Sequence, residues 1–210
     1  MVLTCVVTVR LESSGNKRSF AMTRIVTILT PGFADWETAL LNAGAREFYR
    51  VETLFASADG EAVTSLGGMQ VMPHLALDAI NVGEIDAVLV NGGTIWQTPA
   101  APDFAALLRN TLDAGKVVGG ICDGVSALAR AGILDDRRHT ANGPESLPDT
   151  GYAGGAHFIN SPRAVLDRRV VTAPGTAPVS FMSAVFEALG MRDGNLDFYL
   201  GLYAAEHQAA

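Results

Sequence analysis

Lys116-Val117-Val118-Gly119-Gly120-Ile121-Cys122-Asp123-Gly124-Val125-Ser126-Ala127-Leu128-Ala129-Arg130 is the stretch whose reading decides the fold. Its first half is a buried strand: a short apolar run, β-branched at Val117, Val118 and Ile121, entered through the turn-former Gly115. Its second half is a helix, because Val125, Leu128, Ala129 and Gly132 recur at i, i+3, i+4 and i+7. Cys122 stands where the two patterns meet. Gly120-Ile121-Cys122-Asp123-Gly124 therefore reads G-x-C-x-G, the thiol counterpart of the G-x-S-x-G nucleophile elbow. A side chain at either glycine would crowd so sharp a bend. The helix N-terminus beside the sulfur supplies partial positive charge and unpaired N–H groups, which favour a thiolate and suit an oxyanion. The competing reading is a buried cysteine that merely ends a strand.

Outward from the elbow, strands and helices alternate. Arg24 to Leu29, Val51 to Ala56 and Ile85 to Val90 read as core strands. Ala34 to about Phe48, Asp103 to Ala114, Val179 to Leu189 and Leu196 to Ala205 read as helices, the last with Phe198, Leu202 and Tyr203 turned inward. Asp59-Gly60 and Gly67-Gly68 bracket a hairpin reaching Met72, and His139-Thr140-Ala141 and Val170-Val171-Thr172 are brief strands. Such alternation implies a parallel sheet covered on both faces, in a flavodoxin-like three-layer α/β sandwich. Functional groups then gather beyond the carboxyl ends of the strands. Four segments meet that rule: Pro31 to Glu37, Asn91-Gly92-Gly93, Cys122-Asp123 and Ala173-Pro174-Gly175-Thr176.

Composition narrows the function classes. The 210 residues suit one domain over 24–206, and 49% hydrophobic with 18% charged residues marks a globular chain. Net charge is −7 and the basic residues are scattered, which argues against a nucleic-acid partner. No apolar run approaches the length of a membrane span. Two cysteines, Cys5 and Cys122, are too few for a secreted disulfide framework, so a reducing cytoplasm is expected. Residues 1–23 read as an N-terminal leader without signal-peptide character, or as an extra strand, since Cys5, Val7, Val9 and Leu11 alternate; Met22 is a second candidate start. Leu40, Leu41, Phe48 and Tyr49 give the first helix enough apolar surface to suggest a homodimer.

Taken together, Gly92-Gly93, the Gly-Ile-Cys-x-Gly elbow, Glu37 and Arg137-Arg138-His139-Thr140-Ala141-Asn142 resemble the ThiJ/PfpI family of the class I glutamine amidotransferase-like superfamily. Val171 to Ala177, running into Phe181 and Ala184 to Leu189, resembles that family's last strand and helix, and the likeness covers about 24–190. Phe33-Ala34-Asp35-Trp36-Glu37 is similar to bacterial members of uncertain activity. The resemblance implies that Cys122 is a nucleophile or oxidisable thiol, that Glu37 reaches it as a protonated carboxyl, and that the backbone N–H groups of Gly93 and Asp123 face a developing oxyanion. It makes His139, Asn142, Pro174 and Thr176 pocket candidates, although His139 equally suits a buried, hydrogen-bonded position. Trp36 and Trp96 either wall the pocket or pack in the core, the latter being expected, and His74, His157 and His207 are expected to be structural or on the surface. Neither a metal nor another cofactor is implied.

One departure bears on activity. Several family enzymes carry histidine directly after the cysteine, where this chain has Asp123. A carboxylate is a poor base near neutral pH and is expected to raise the thiol pKa by repulsion. Pro144-Glu145 follows Gly143 and comes too early to complete an amidotransferase triad. The expected function is attack by Cys122 on a small electrophilic carbon in a small-molecule substrate, as a hydrolase or a glyoxalase- or hydratase-like lyase. The alternatives are a non-catalytic thiol redox sensor or stress-response protein, and a binding domain that merely keeps the fold.

Overall fold

The computed structural model describes residues 22–148 and 151–205. The leader strand expected around Cys5, and His207, lie outside the described residues. The chain runs β1 (Arg24–Ile28), α1 (Trp36–Tyr49), β2 (Glu52–Ser57), β3 (Val63–Thr64), β4 (Gln70–Val71), β5 (Leu75–Ala76) and β6 (Ala87–Val90). It continues through α2 (Ala105–Asp113), β7 (Val117–Ile121), α3 (Val125–Arg130), β8 (Val165–Asp167), β9 (Val170–Ala173), α4 (Pro178–Ala188) and α5 (Gly194–Ala204).

Seven strands form one sheet in the order β5-β2-β1-β6-β7-β9-β8, parallel except where β8 runs against β9. The β3–β4 hairpin stands apart as a two-stranded antiparallel piece. Side chains alternate across the sheet, as the two-residue strand period requires. Ile25, Leu89, Val117, Ile121 and Val171 join Leu41 of α1 and Phe181, Val185 and Phe186 of α4 in one apolar layer. Val26, Ile28, Val88, Val90 and Val118 join Leu108 of α2 and Leu128 of α3 in the other. The result is the expected flavodoxin-like sandwich. Among the described residues, no helix is long and apolar enough to cross a membrane.

Several expectations change. His139-Thr140-Ala141 is not a strand; a single bridge pairs His139 with Phe158. In α5 the inward residues are Leu196 and Leu200, whereas Phe198, Leu202 and Tyr203 are exposed. That helix is apolar on every side, so its period could not choose the buried face. Trp96 is fully buried as expected, but Trp36 is half exposed. Much of the apolar face of α1 is covered within the chain: Leu41 is buried in the α4 layer, Phe48 packs edge-on against Tyr199, and the Tyr49 hydroxyl donates to Asp193 Oδ1 at 2.6 Å.

The chain reverses its direction of growth across the sheet between β1 and β6, whose neighbours β2 and β7 lie on opposite sides. Crevices at such switch points, beyond the carboxyl ends of the strands, are where this architecture places ligands. The loops after β1, β6, β7 and β9 all open there.

Candidate active site

The elbow is built by close packing of backbone. Cys122 has φ of 57°, a left-handed conformation that few side-chain-bearing residues adopt, and it turns the chain out of β7. A Cβ on Gly124 would lie 2.6 Å from the Val90 carbonyl oxygen and 2.8 Å from that of Asn91. A Cβ on Gly120 would press on Leu128 Cδ1 at 3.0 Å and Val125 Cα at 3.2 Å. Gly124 is therefore required by space and Gly120 is tightly packed, which lets α3 start directly against the ends of β6 and β7.

Glu37 reaches the elbow from the first turn of α1. Asn91 fixes that turn: its amide donates to the Ala34 carbonyl at 2.9 Å, and its Oδ1 accepts from the Thr38 hydroxyl at 2.8 Å. Glu37 is fully buried, and its Oε2 accepts the Gly92 N–H at 2.6 Å. Oε1 is buried without a conventional hydrogen-bond partner, and the carboxyl lies close to the Cys122 thiol. A methyl placed on Gly175 would touch both groups, lying 2.8 Å from Cys122 Sγ and 3.2 Å from Glu37 Oε1. Burial pushes the Glu37 carboxyl up to about 7, against the pull of hydrogen bonds from the thiol and Gly92 and with a further push from the charge of Asp123.

The thiol moves against the expectation from the helix terminus and in the direction expected of a neighbouring carboxylate. Burial pushes Cys122 up to about 12; the Asn142 amide and the Asp123 N–H oppose this, while the charge of Glu37 adds to it. Desolvation outweighs the helix terminus here because α3 is only six residues long and its dipole is small. The neighbouring charge that disfavours thiolate is that of Glu37. The Asp123 carboxylate is engaged elsewhere, accepting from Asn142 Nδ2 at 3.0 Å.

The other candidates separate clearly. Asn142 comes to the sulfur, with Nδ2 at 3.1 Å from Sγ and Oδ1 accepting the Gly175 N–H at 2.9 Å. Pro174 is buried and Thr176 exposed on either side of Gly175. Gly93 carries the bridge to Phe33 that closes the loop after β1, and a Cβ on it would lie 2.7 Å from the Gly32 carbonyl oxygen. His139 is fully buried, with Nδ1 2.7 Å from the Arg137 carbonyl oxygen and Nε2 2.6 Å from the Tyr152 hydroxyl. Neither ring nitrogen is free for the thiol, so His139 takes the hydrogen-bonded core position that was its alternative.

Sequence reasoning named Gly92 and Gly175 only as members of their loops, and favoured the core over the pocket wall for Trp36. Gly92 supplies the N–H that holds Glu37, and Gly175 supplies the N–H that holds Asn142. Trp36 Nε1 donates to the Gly175 carbonyl at 3.0 Å, tying α1 to the loop after β9. Asp35 pins the β3–β4 hairpin beside them, accepting from the Ser65 hydroxyl and from the Gly67 N–H. The signal for the two glycines was their position at strand ends; which residue of each loop mattered depended on where its N–H pointed. Among the described residues, no group of three or more His, Cys, Asp and Glu side chains is gathered to hold a metal ion.

The model of the DJ-1/PfpI family matches residues 23–188, most of the chain. The chain belongs to the DJ-1/PfpI family. Among solved structures, the DJ-1 superfamily protein Atu0886 from Agrobacterium tumefaciens is 43% identical, covers 89% of this chain and 100% of its own, and superposes with a TM-score of 0.85. The uncharacterized protease YoaZ of Bacillus subtilis is 28% identical over 165 residues, which are 74% of this chain and 78% of YoaZ. The glutathione-independent glyoxalase DJR-1.2 of Caenorhabditis elegans is 27% identical over 130 residues, 60% of this chain and 68% of that protein. The DJ-1/PfpI assignment agrees with the mostly parallel seven-stranded sheet and with Cys122 at the turn before a helix.

Proposed function

We propose that this DJ-1/PfpI chain is an enzyme in which Cys122 attacks a small electrophilic carbon, with the aldehyde carbon of 2-oxoaldehydes as the substrate class. The observation that carries this reading is the buried pair: the Glu37 carboxyl, held by the Gly92 N–H at 2.6 Å, lies against the Cys122 thiol, and burial raises both groups. Burial raises both groups, so the pair holds a proton between them and the sulfur ionises as the carboxyl takes that proton; a carboxyl raised toward the working pH suits that exchange. As Sγ bonds to the carbonyl carbon, the thiol proton passes to Glu37 Oε1 and the C=O π electrons move onto oxygen. The N–H groups of Gly93 and Asp123 are assigned to that oxygen. Glu37 then returns the proton, completing a hemithioacetal without any outside oxidant or reductant. The glyoxalase and protease names of relatives support carbon electrophiles as the class.

Consumption of methylglyoxal and glyoxal by purified protein tests this directly. Turnover abolished in Cys122→Ser and strongly reduced in Glu37→Gln is the expected result; undiminished turnover in Cys122→Ser overturns it.

Thiol redox sensing is a second reading with its own support in the unpartnered Glu37 Oε1. There the sulfur attacks a peroxide oxygen, the O–O bond breaks, water leaves with the transferred proton, and a sulfenic acid remains beside the carboxyl. Absence of turnover together with an intact-mass gain of one or two oxygens at Cys122 under graded peroxide selects this reading. Both readings suit a reducing cytoplasm. The homodimer is likewise a proposal, and sedimentation at micromolar concentration showing only a 22.0 kDa species excludes it.

A further inference from the structure

Asn142, which the resemblance names only as a pocket candidate, has its side chain fixed on every side. Its segment is held against β9 by the Thr140 N–H, which donates to Thr172 Oγ1 at 2.9 Å. At its tip the Asn142 amide makes three contacts. Oδ1 accepts the Gly175 N–H at 2.9 Å, and Nδ2 lies 3.1 Å from Cys122 Sγ and 3.0 Å from Asp123 Oδ1. A backbone N–H can only donate, so the oxygen of the amide must face Gly175 and the nitrogen must face the sulfur. The two protons on Nδ2 then match two acceptors, Sγ and the Asp123 carboxylate. Gly175 is in turn held from the other side, because Trp36 Nε1 donates to its carbonyl at 3.0 Å.

We propose that Asn142 is a catalytic residue of this site, the neutral donor that stabilises the Cys122 thiolate, with Gly175 and Asp123 as the positioning residues that fix its amide. A donor without charge stabilises the ionised sulfur and, unlike an imidazole, neither takes the thiol proton nor titrates in the working range. Proton transfer is thereby left to Glu37 alone. Among the influences on the thiol, the Asn142 bond is the largest that opposes its burial. The titratable groups facing the sulfur are Glu37 from α1 and Asp123 from the elbow itself. The ends of β6 and β9 present the backbone of Gly92 and Gly175, and the Glu145 carboxylate packs against Gly143, one residue beyond Asn142.

This assignment rests on Cys122 being the reactive thiol, and the test reads that thiol without any substrate. The rate of iodoacetamide labelling at Cys122, located by peptide mapping, is measured against pH for the wild type, Asn142→Leu and Asn142→Asp. Asn142→Asp keeps the shape and the acceptor for Gly175 N–H but removes the donor and adds a charge. A hydrogen bond to a charged group is strong enough that its loss slows labelling below the thiol pKa roughly 10- to 100-fold, a factor of about ten per pH unit. The expected result is that both variants move the labelling profile to higher pH, Asn142→Asp at least as far as Asn142→Leu, with unchanged circular dichroism. Profiles that coincide with the wild type while Cys122 still labels overturn the role of Asn142 and leave the Glu37–Cys122 pair standing. Failure of Cys122 to label in the wild type at any pH the fold survives overturns both.

Discussion

Glu37→Gln should make the protein more stable above neutral pH while removing the base on which its chemistry depends. Glu37 is fully buried and its carboxyl is raised from an ordinary 4.5 to about 7, chiefly by burial. Below pH 4.5 the group is protonated in folded and unfolded chains alike and costs nothing. Between 4.5 and 7 the unfolded chain releases its proton and the native one retains it, so stability falls as pH rises. Above 7 the penalty is complete. At about 1.36 kcal/mol per pH unit it amounts to roughly 3 kcal/mol, a large share of the about 5–15 kcal/mol typical of native domains. Glutamine is isosteric, keeps an oxygen to accept the Gly92 N–H, and does not titrate. Urea unfolding of both proteins from pH 4 to 8.5 isolates the effect, because every other titrating group is common to the pair and cancels in the difference. The variant should gain roughly 3 kcal/mol on the wild type across that range, most of it between pH 4.5 and 7. A difference that stays flat with pH refutes the buried, raised carboxyl and with it the proton-transfer role given to Glu37.

Gly124→Ala should cost about 1–3 kcal/mol or more by overpacking, because its methyl would meet the Val90 and Asn91 carbonyl oxygens at 2.6 and 2.8 Å; an unchanged urea midpoint contradicts the close packing of the elbow. Tyr152→Phe should cost about 1–3 kcal/mol by leaving a buried acceptor unsatisfied, since the Arg137 carbonyl requires the His139 proton on Nδ1 and leaves Nε2 to accept from Tyr152. Burial holds the His139 imidazole below its ordinary 6.5. The native state therefore binds fewer protons than the unfolded one there, and stability should fall as pH drops below about 6.5. His139→Gln should flatten that part of the wild-type pH profile, as urea midpoints between pH 5 and 7.5 would show.

The sandwich was legible because its central strands are buried on both faces and so are written as short, continuous apolar runs. Arg24 to Leu29, Ile85 to Val90 and Val117 to Ile121 need no tertiary information to be recognised. What escaped was short or peripheral. β5 and β8 contain two and three residues, too few to show a period, and they form only because a longer neighbour offers a free edge. His139 to Ala141 has strand-like residues but makes a single bridge, since its side-chain bonds to Arg137 and Tyr152 set its course.

Within the site, the strand-end rule located the loops after β1, β6, β7 and β9 and stopped at the choice of residue within each, while the loop of Asn142, which follows no strand, came only from the family resemblance. Gly92 rather than Gly93 holds Glu37, and Gly175 rather than Pro174 or Thr176 holds Asn142, because hydrogen bonding follows the direction of individual N–H groups. A linear chain does not display that direction. The upward shift of Glu37 is in the direction of the protonated carboxyl that the resemblance implied, whereas that of Cys122 runs against the helix terminus. On a solvated helix a first-turn acid is stabilised as the carboxylate by the dipole, and a thiol at a helix start is stabilised as the thiolate. Glu37 and Cys122 sit instead where two loops and two strand ends exclude water, and desolvation raises both groups. Asn142 follows from the same exclusion. A neutral amide costs less to desolvate than an imidazolium, and it still offers the sulfur a proton. The pair and its amide donor thus act as one arrangement: burial keeps a proton on the pair at rest, Asn142 stabilises the sulfur as that proton leaves it, and Glu37 is the group left to receive it.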